Sequence, residues 1–137
     1  MKNRVWLTGV ILLVILALAG CGSKSEHDGM NMDEGMMEPL TVDLSWTPEQ
    51  VKVGQKVSIE VNVAQKDKKV DKADEVMIEI TKEGDSSNHE KVPAENAGEG
   101  KYVLEKTFDS DGTYSITSHV TYGPQHTMPT KKLTVSK

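Results

Sequence analysis

Cysteine occurs once in the 137 residues, as Cys21, so no disulfide can form within the chain. Its stability must come from a modest apolar core or from a bound ligand. Aromatic residues are scarce: one Phe, two Trp and three Tyr. Beyond Trp6 there remain Trp46, Tyr102, Phe108, Tyr114 and Tyr122, too few for an aromatic-lined pocket or a carbohydrate platform. Basic charge is also in deficit, with 16 Lys and Arg against 21 Asp and Glu and a net charge of −5. No Lys/Arg cluster offsets this, and the composition argues against nucleic acid as a partner. Helical periodicity is missing outside the N-terminal apolar segment. No Gly-x-Ser-x-Gly elbow and no Gly-rich phosphate loop occurs, so no enzyme is expected. The acidic run Asp71-Lys72-Ala73-Asp74-Glu75 reads as a solvated charged loop.

What the chain does have begins at its N-terminus. Lys2 and Arg4 precede an unbroken apolar run from Val10 to Leu18, and Ala19-Gly20 leads into Cys21. Basic, apolar and small segments in that order make a secretory signal, and the run is short for a membrane span. Leu18-Ala19-Gly20-Cys21 resembles the lipobox of bacterial lipoproteins. That resemblance implies cleavage before Cys21, a diacylglycerol on its sulfur, and a domain held outside the cytoplasm at the cell membrane. Each buried acyl methylene contributes about 0.8 kcal/mol, so two or three chains hold a protein firmly. Cleavage takes Lys2 and Arg4 away and leaves a net charge of about −7.

Residues 1–20 are thus read as signal peptide and residues 21–38 as a flexible tether rich in Met, Gly and acid. His27, Met30, Met32, Met36 and Met37 stand in that tether, and thioether sulfur suits Cu(I), so it is a candidate weak collector of soft metal ions. Residues 39–137 form the domain. From Leu40 the pattern has period two: Leu40, Val42, Leu44 and Trp46; then Val57, Ile59, Val61 and Val63; then Val76, Ile78 and Ile80. Residues 82–99 read as a long loop or a short edge strand. Tyr102, Leu104 and Phe108 mark a further strand, followed by a turn at Asp109-Ser110-Asp111-Gly112. Tyr114, Ile116, Ser118 and Val120 supply the next inward face, and Leu133 and Val135 the last. Short strands at this spacing over about 100 residues predict an all-β fold, an immunoglobulin-like antiparallel two-sheet sandwich. Gly112-Thr113-Tyr114 fits the tyrosine corner of such sandwiches.

The candidate chemistry lies in the last hairpin. His119 has the parity that points away from the core, and His126-Thr127-Met128 comes next in a loop bounded by Pro124 and Pro129. That loop folds back toward His119. Met77 joins by topology, because the third and sixth strands of a seven-strand sandwich are antiparallel neighbours. Two imidazoles and two thioethers, without thiolate, suit copper and suit Zn(II) poorly. His89, in the polar stretch Asn88-His89-Glu90, is a weaker fifth candidate.

In these features residues 40–137 resemble the YtkA-like family of small bacterial lipoproteins, grouped with FixH-type proteins. The resemblance rests on Pro48 and Gly54, on Gly112-Thr113-Tyr114-Ser115-Ile116, and on His119-Val120-Thr121 through His126-Thr127-Met128-Pro129. It implies a sandwich fold and a part in extracytoplasmic copper handling and oxidase assembly. The His-x-Met unit at His126 and Met128 is also similar to that of PCuAC-type copper chaperones, whose further His and Met lie at a different spacing. The expectation is a lipid-anchored copper protein, a chaperone or buffer for Cu(I), that serves a copper-accepting membrane protein such as an oxidase subunit. The alternative is a metal-free β-sandwich interaction module on the cell surface. Cys21→Ser is expected to abolish acylation and shift the protein from the membrane fraction, which mass spectrometry of fractionated cells checks.

Overall fold

In a computed structural model that describes residues 37–137, strands account for nearly all regular structure and no helix occurs among the described residues. Eleven strands run in order through these residues: β1 (Leu40–Thr47), β2 (Val51–Lys52), β3 (Lys56–Gln65), β4 (Lys68–Lys69), β5 (Glu75–Lys82), β6 (His89–Pro93), β7 (Glu95–Gly98), β8 (Lys101–Thr107), β9 (Gly112–Tyr122), β10 (Gln125–Thr127) and β11 (Thr130–Ser136). One sheet has the order β1-β3-β8-β7 with β4 on β3, and the other β2-β11-β9-β5-β6 with β10 on β9. This is the A-B-E-D against C-F-G arrangement of immunoglobulin-like sandwiches. All pairings are antiparallel except Val51–Lys52 against Val135–Ser136.

The alternation in sequence becomes the two faces of each sheet. Val57, Ile59, Val61 and Val63 of β3 face Ile78 and Ile80 of β5 and Ile116 and Val120 of β9 in one buried cluster. Leu40, Leu44, Val51, Leu133 and Val135 close it at the edges. Antibody domains place a cysteine two residues after the corner tyrosine. Here that position is Ile116, fully buried, so aliphatic packing replaces the disulfide that a single cysteine cannot make.

Two tyrosines tie the loops to this core. The Tyr114 hydroxyl donates to the Ser110 carbonyl at 2.9 Å, and its ring packs on Phe108 at 4.7 Å between centroids. This is the tyrosine corner the sequence predicts. The Tyr102 hydroxyl donates to the Val70 carbonyl and accepts from the Ala73 amide, both at 2.9 Å. The charged stretch 66–74 is therefore pinned, and it contains the short strand β4 and the buried Val70.

The segment 82–99 divides between the two sheets. β6 pairs with β5, β7 pairs with β8, and Ala94 makes the crossing with its amide bonded to the Val76 carbonyl at 3.0 Å. Polar, glycine-bearing sequence hides both strands because each is short and lies on an edge, where no apolar alternation is required.

Gly100 is held at φ +74°, and a Cβ there would lie 2.5 Å from the Val63 carbonyl oxygen. Gly100→Ala is expected to cost about 2–4 kcal/mol. Thermal unfolding checks this as a fall in Tm of about 10 °C or more. Ser118 presents the opposite case, a fully buried hydroxyl without a hydrogen-bond partner. Ser118→Ala is expected to be neutral or to stabilise by about 1 kcal/mol, since it removes an unpaired buried polar group.

Candidate metal centre

The outer face of β9 carries Thr113, Ser115, Thr117, His119 and Thr121, because their neighbours Tyr114, Ile116, Ser118 and Val120 fill the core. On the β5 side, Met77 is the direct cross-strand partner of His119. On the other side β10 pairs His126 with Thr121 and Thr127 with Val120, and β11 resumes with Thr130 opposite Thr117. The Ser118 amide bonds to the Pro129 carbonyl at 3.0 Å, so the register runs unbroken through the connection between β10 and β11. Met128 therefore occupies the place opposite His119. Met77 thus flanks this histidine from β5, where directly paired Cβ atoms stand about 5 Å apart, and Met128 flanks it from the connection between β10 and β11.

His126 lies one step along, and its ring centroid is 6.0 Å from that of His119, with the planes inclined at 48°. An imidazole nitrogen binds a metal at about 2.0 Å and the ring centre lies about 1 Å further back, so two rings on one ion stand about 5–6 Å apart. The observed spacing falls at the upper end of that range. His126 Nδ1 is 2.8 Å from the Thr121 hydroxyl, which leaves Nε2 unengaged by this contact. The hairpin is tied down on both sides. The Gly123 amide donates to Asp74 at 2.6 Å, and Gln125 accepts from the Leu40 amide at 2.8 Å while donating to the Glu38 carbonyl at 2.9 Å.

Burial is graded across the patch. The His119 side chain is only 12% exposed, whereas Met128 is 52% exposed. The site thus has a sheltered base and one open side. Among the described residues no three His, Cys, Asp or Glu side chains are grouped so as to hold an ion. The donors that stand beside the two imidazoles are thioethers, and thioether with imidazole is a soft donor set.

Of the residues singled out from sequence, Met77, His119, His126 and Met128 share one patch of one face. His89 does not join them. It pairs from β6 with Thr81, four residues along β5 from the Met77 position, which is about 13 Å. Cys21 and the tether methionines up to Met36 lie outside the described residues. The residue that sequence reasoning passed over is Glu79. Its carboxylate reaches His119 Nε2 at 2.6 Å with one oxygen and stands 3.5 Å from His89 Nδ1 with the other. The available signal was parity: Glu79 shares the outward face of β5 with Met77.

No curated protein matches the sequence. Among solved structures, a superoxide reductase (neelaredoxin) from Ignicoccus hospitalis is similar at 18% identity and a TM-score of 0.49, over 70% of this chain and 80% of that one. A computationally redesigned β-sandwich protein is similar at 14% identity and a TM-score of 0.47, over 74% of this chain and 98% of that one. The family model described as YtkA-like matches residues 36–119, a span that includes Met77, Glu79, His89 and His119 and stops before His126 and Met128. The match covers more than half of the sequence, and the chain belongs to the YtkA-like family.

Proposed function

We propose that this protein is an extracytoplasmic, lipid-anchored copper protein that binds Cu(I) at Met77, His119, His126 and Met128. It buffers the ion or delivers it to a copper-accepting membrane protein such as an oxidase subunit. The observation that carries this reading is the pairing of His119 with Met77, with a second imidazole 6.0 Å away in the hairpin that leads into Met128. No other arrangement of the described side chains concentrates soft donors in this way.

The chemistry of the donor set fits the cargo. Thioethers are poor ligands for Zn(II) and good ones for Cu(I), and neutral imidazole serves both copper oxidation states. Glu75, paired with Thr121, and Glu79, one step from Met77, place carboxylates on either side of the patch. Such fixed negative charge draws a cation toward the surface without binding it. The open side at Met128 suits transfer, because an acceptor's ligands must enter before the donor's leave. A structural ion needs the reverse, a closed shell. The reading takes copper as cargo.

The test is an anaerobic Cu(I) competition titration of the chain from residue 22 onward, set beside His126→Ala/Met128→Ala and beside a form that starts at residue 37. One ion per chain is expected to bind, with affinity at least 100-fold weaker in the double variant and within about 3-fold of the parent after tail removal; ligand losses of this kind amount to a few kcal/mol. Absence of binding, or binding that disappears only with the tail, overturns the hairpin site and leaves the metal-free interaction module as the better account.

A further inference from the structure

We infer that Glu79 is a positioning residue for the copper site: it holds the Nε2–H of His119 and so commits Nδ1 of that ring to the metal. This rests on the copper reading proposed for the site and deepens it by assigning which nitrogen binds and what makes it available.

The contact is His119 Nε2 to Glu79 Oε2 at 2.6 Å, short for a nitrogen–oxygen hydrogen bond. An ionised carboxylate has no proton to give, so the ring nitrogen is the donor. In a neutral imidazole the lone pair then belongs to Nδ1. Without Glu79 the two tautomers compete, and copper binding must first select the productive one. Metal-binding histidines commonly use a carboxylate or a carbonyl for this purpose, and loss of such a partner typically costs 10–100-fold in affinity.

The register shows that Glu79 is placed to hold the ring without competing for the ion. On β5 it faces Thr117, while His126 on β10 faces Thr121. His119 stands between these two rows, so the carboxylate approaches from one direction along β9 and the second imidazole from the other. Glu79 is itself constrained. Its Oε1 stands 3.5 Å from His89 Nδ1, which lies 3.2 Å from the Thr81 hydroxyl. A row of His89, Glu79 and His119 therefore crosses three adjacent strands, β6, β5 and β9. His89 stands at the exposed end of this row, with its Nδ1 on the Thr81 hydroxyl, and is not placed as a ligand. His126 has a hydroxyl partner in place of a carboxylate, which makes His119 the better fixed of the two rings.

The experiment uses the chain from residue 22 onward, which contains the entire sandwich, as parent, Glu79→Leu, Glu79→Gln and His89→Ala. Glu79 is on the outer face, so the variants keep the core, and thermal melts check this. Long-range nitrogen–proton NMR on the metal-free protein reads the His119 tautomer directly. The parent is expected to show Nε2–H, Glu79→Leu a mixture or the Nδ1–H form, and Glu79→Gln the parent pattern, since its amide oxygen still accepts. In Cu(I) competition, Glu79→Leu is expected to bind 10–100-fold more weakly, Glu79→Gln and His89→Ala within about 3-fold of the parent. An unchanged tautomer in Glu79→Leu, or unchanged Cu(I) affinity in that variant, overturns the inference. The tautomer is read without copper. A parent that binds no Cu(I) thus removes the copper reading and the ligand role of Nδ1 with it, while the hold of Glu79 on His119 is decided by the spectra alone.

Discussion

His119 cannot leave the outer face of its sheet without taking Ile116 and Val120 out of the core. Strand side chains alternate strictly, so a slip of one residue in β9 would bury His119 and Thr117 and expose two of the most buried aliphatic side chains in the domain. Burying a side chain of that size contributes about 1.5–3 kcal/mol, and several would be lost together. The core therefore enforces the register, and the register puts Met77 and Met128 on either side of His119. No donor of the candidate centre contributes to the packing that holds it in place. Geometry and stability are supplied by opposite faces of the same strand.

This separation explains why the patch combines rigidity with access. β5 is paired with β9 along its whole length, from Glu75–Thr121 to Lys82–Tyr114. The hairpin beyond β9 is less deeply built in, yet Asp74 holds its turn and Gln125 ties it to the start of β1. Preorganised side chains lose little freedom on binding, which favours affinity for any ligand the patch takes, while Met128 remains exposed at its open side. Glu79 adds to preorganisation by a different route, through the protonation pattern of the ring and not its place in the sheet.

Much of this arrangement was legible in the sequence because the information had period two. Val57 to Val63, Val76 to Ile80 and Tyr114 to Val120 each spell one buried face, and the outward parity of Met77 and His119 is then fixed. Tyr114 could be placed as a corner because Gly112 and the acidic turn precede it. The short strands were not legible. β6 and β7 sit at sheet edges with exposed, polar side chains, so their pairing comes from backbone hydrogen bonds that leave no apolar signature. β10 is hidden for the same reason, within a stretch marked by Gly123 and two prolines. His89 reads as a weak ligand candidate in a polar stretch, and Glu79 is one of 21 acidic residues that nothing in the sequence singles out. Their roles depend on which residues face each other across strands 8 to 40 positions apart in sequence, and alternation alone does not carry that information.

The family match ends at His119, inside the structural unit that the candidate centre needs. Met77, Glu79 and His119 belong to the two central strands of the second sheet, whereas His126 and Met128 belong to the hairpin beyond them. The continuous register across β9, β10 and β11 joins the two parts, with Thr127 on Val120 and Thr130 on Thr117 at the ends of the connection. That continuity makes the spacing between His126 and Met128 meaningful. With one residue between them both fall on the outer face, at successive rungs beside Thr121 and His119. A shift of either by a single position would turn its donor toward the interior. A His-x-Met unit in a free loop would carry no such constraint. Here the ladder, and not the tripeptide, decides that imidazole and thioether share one face.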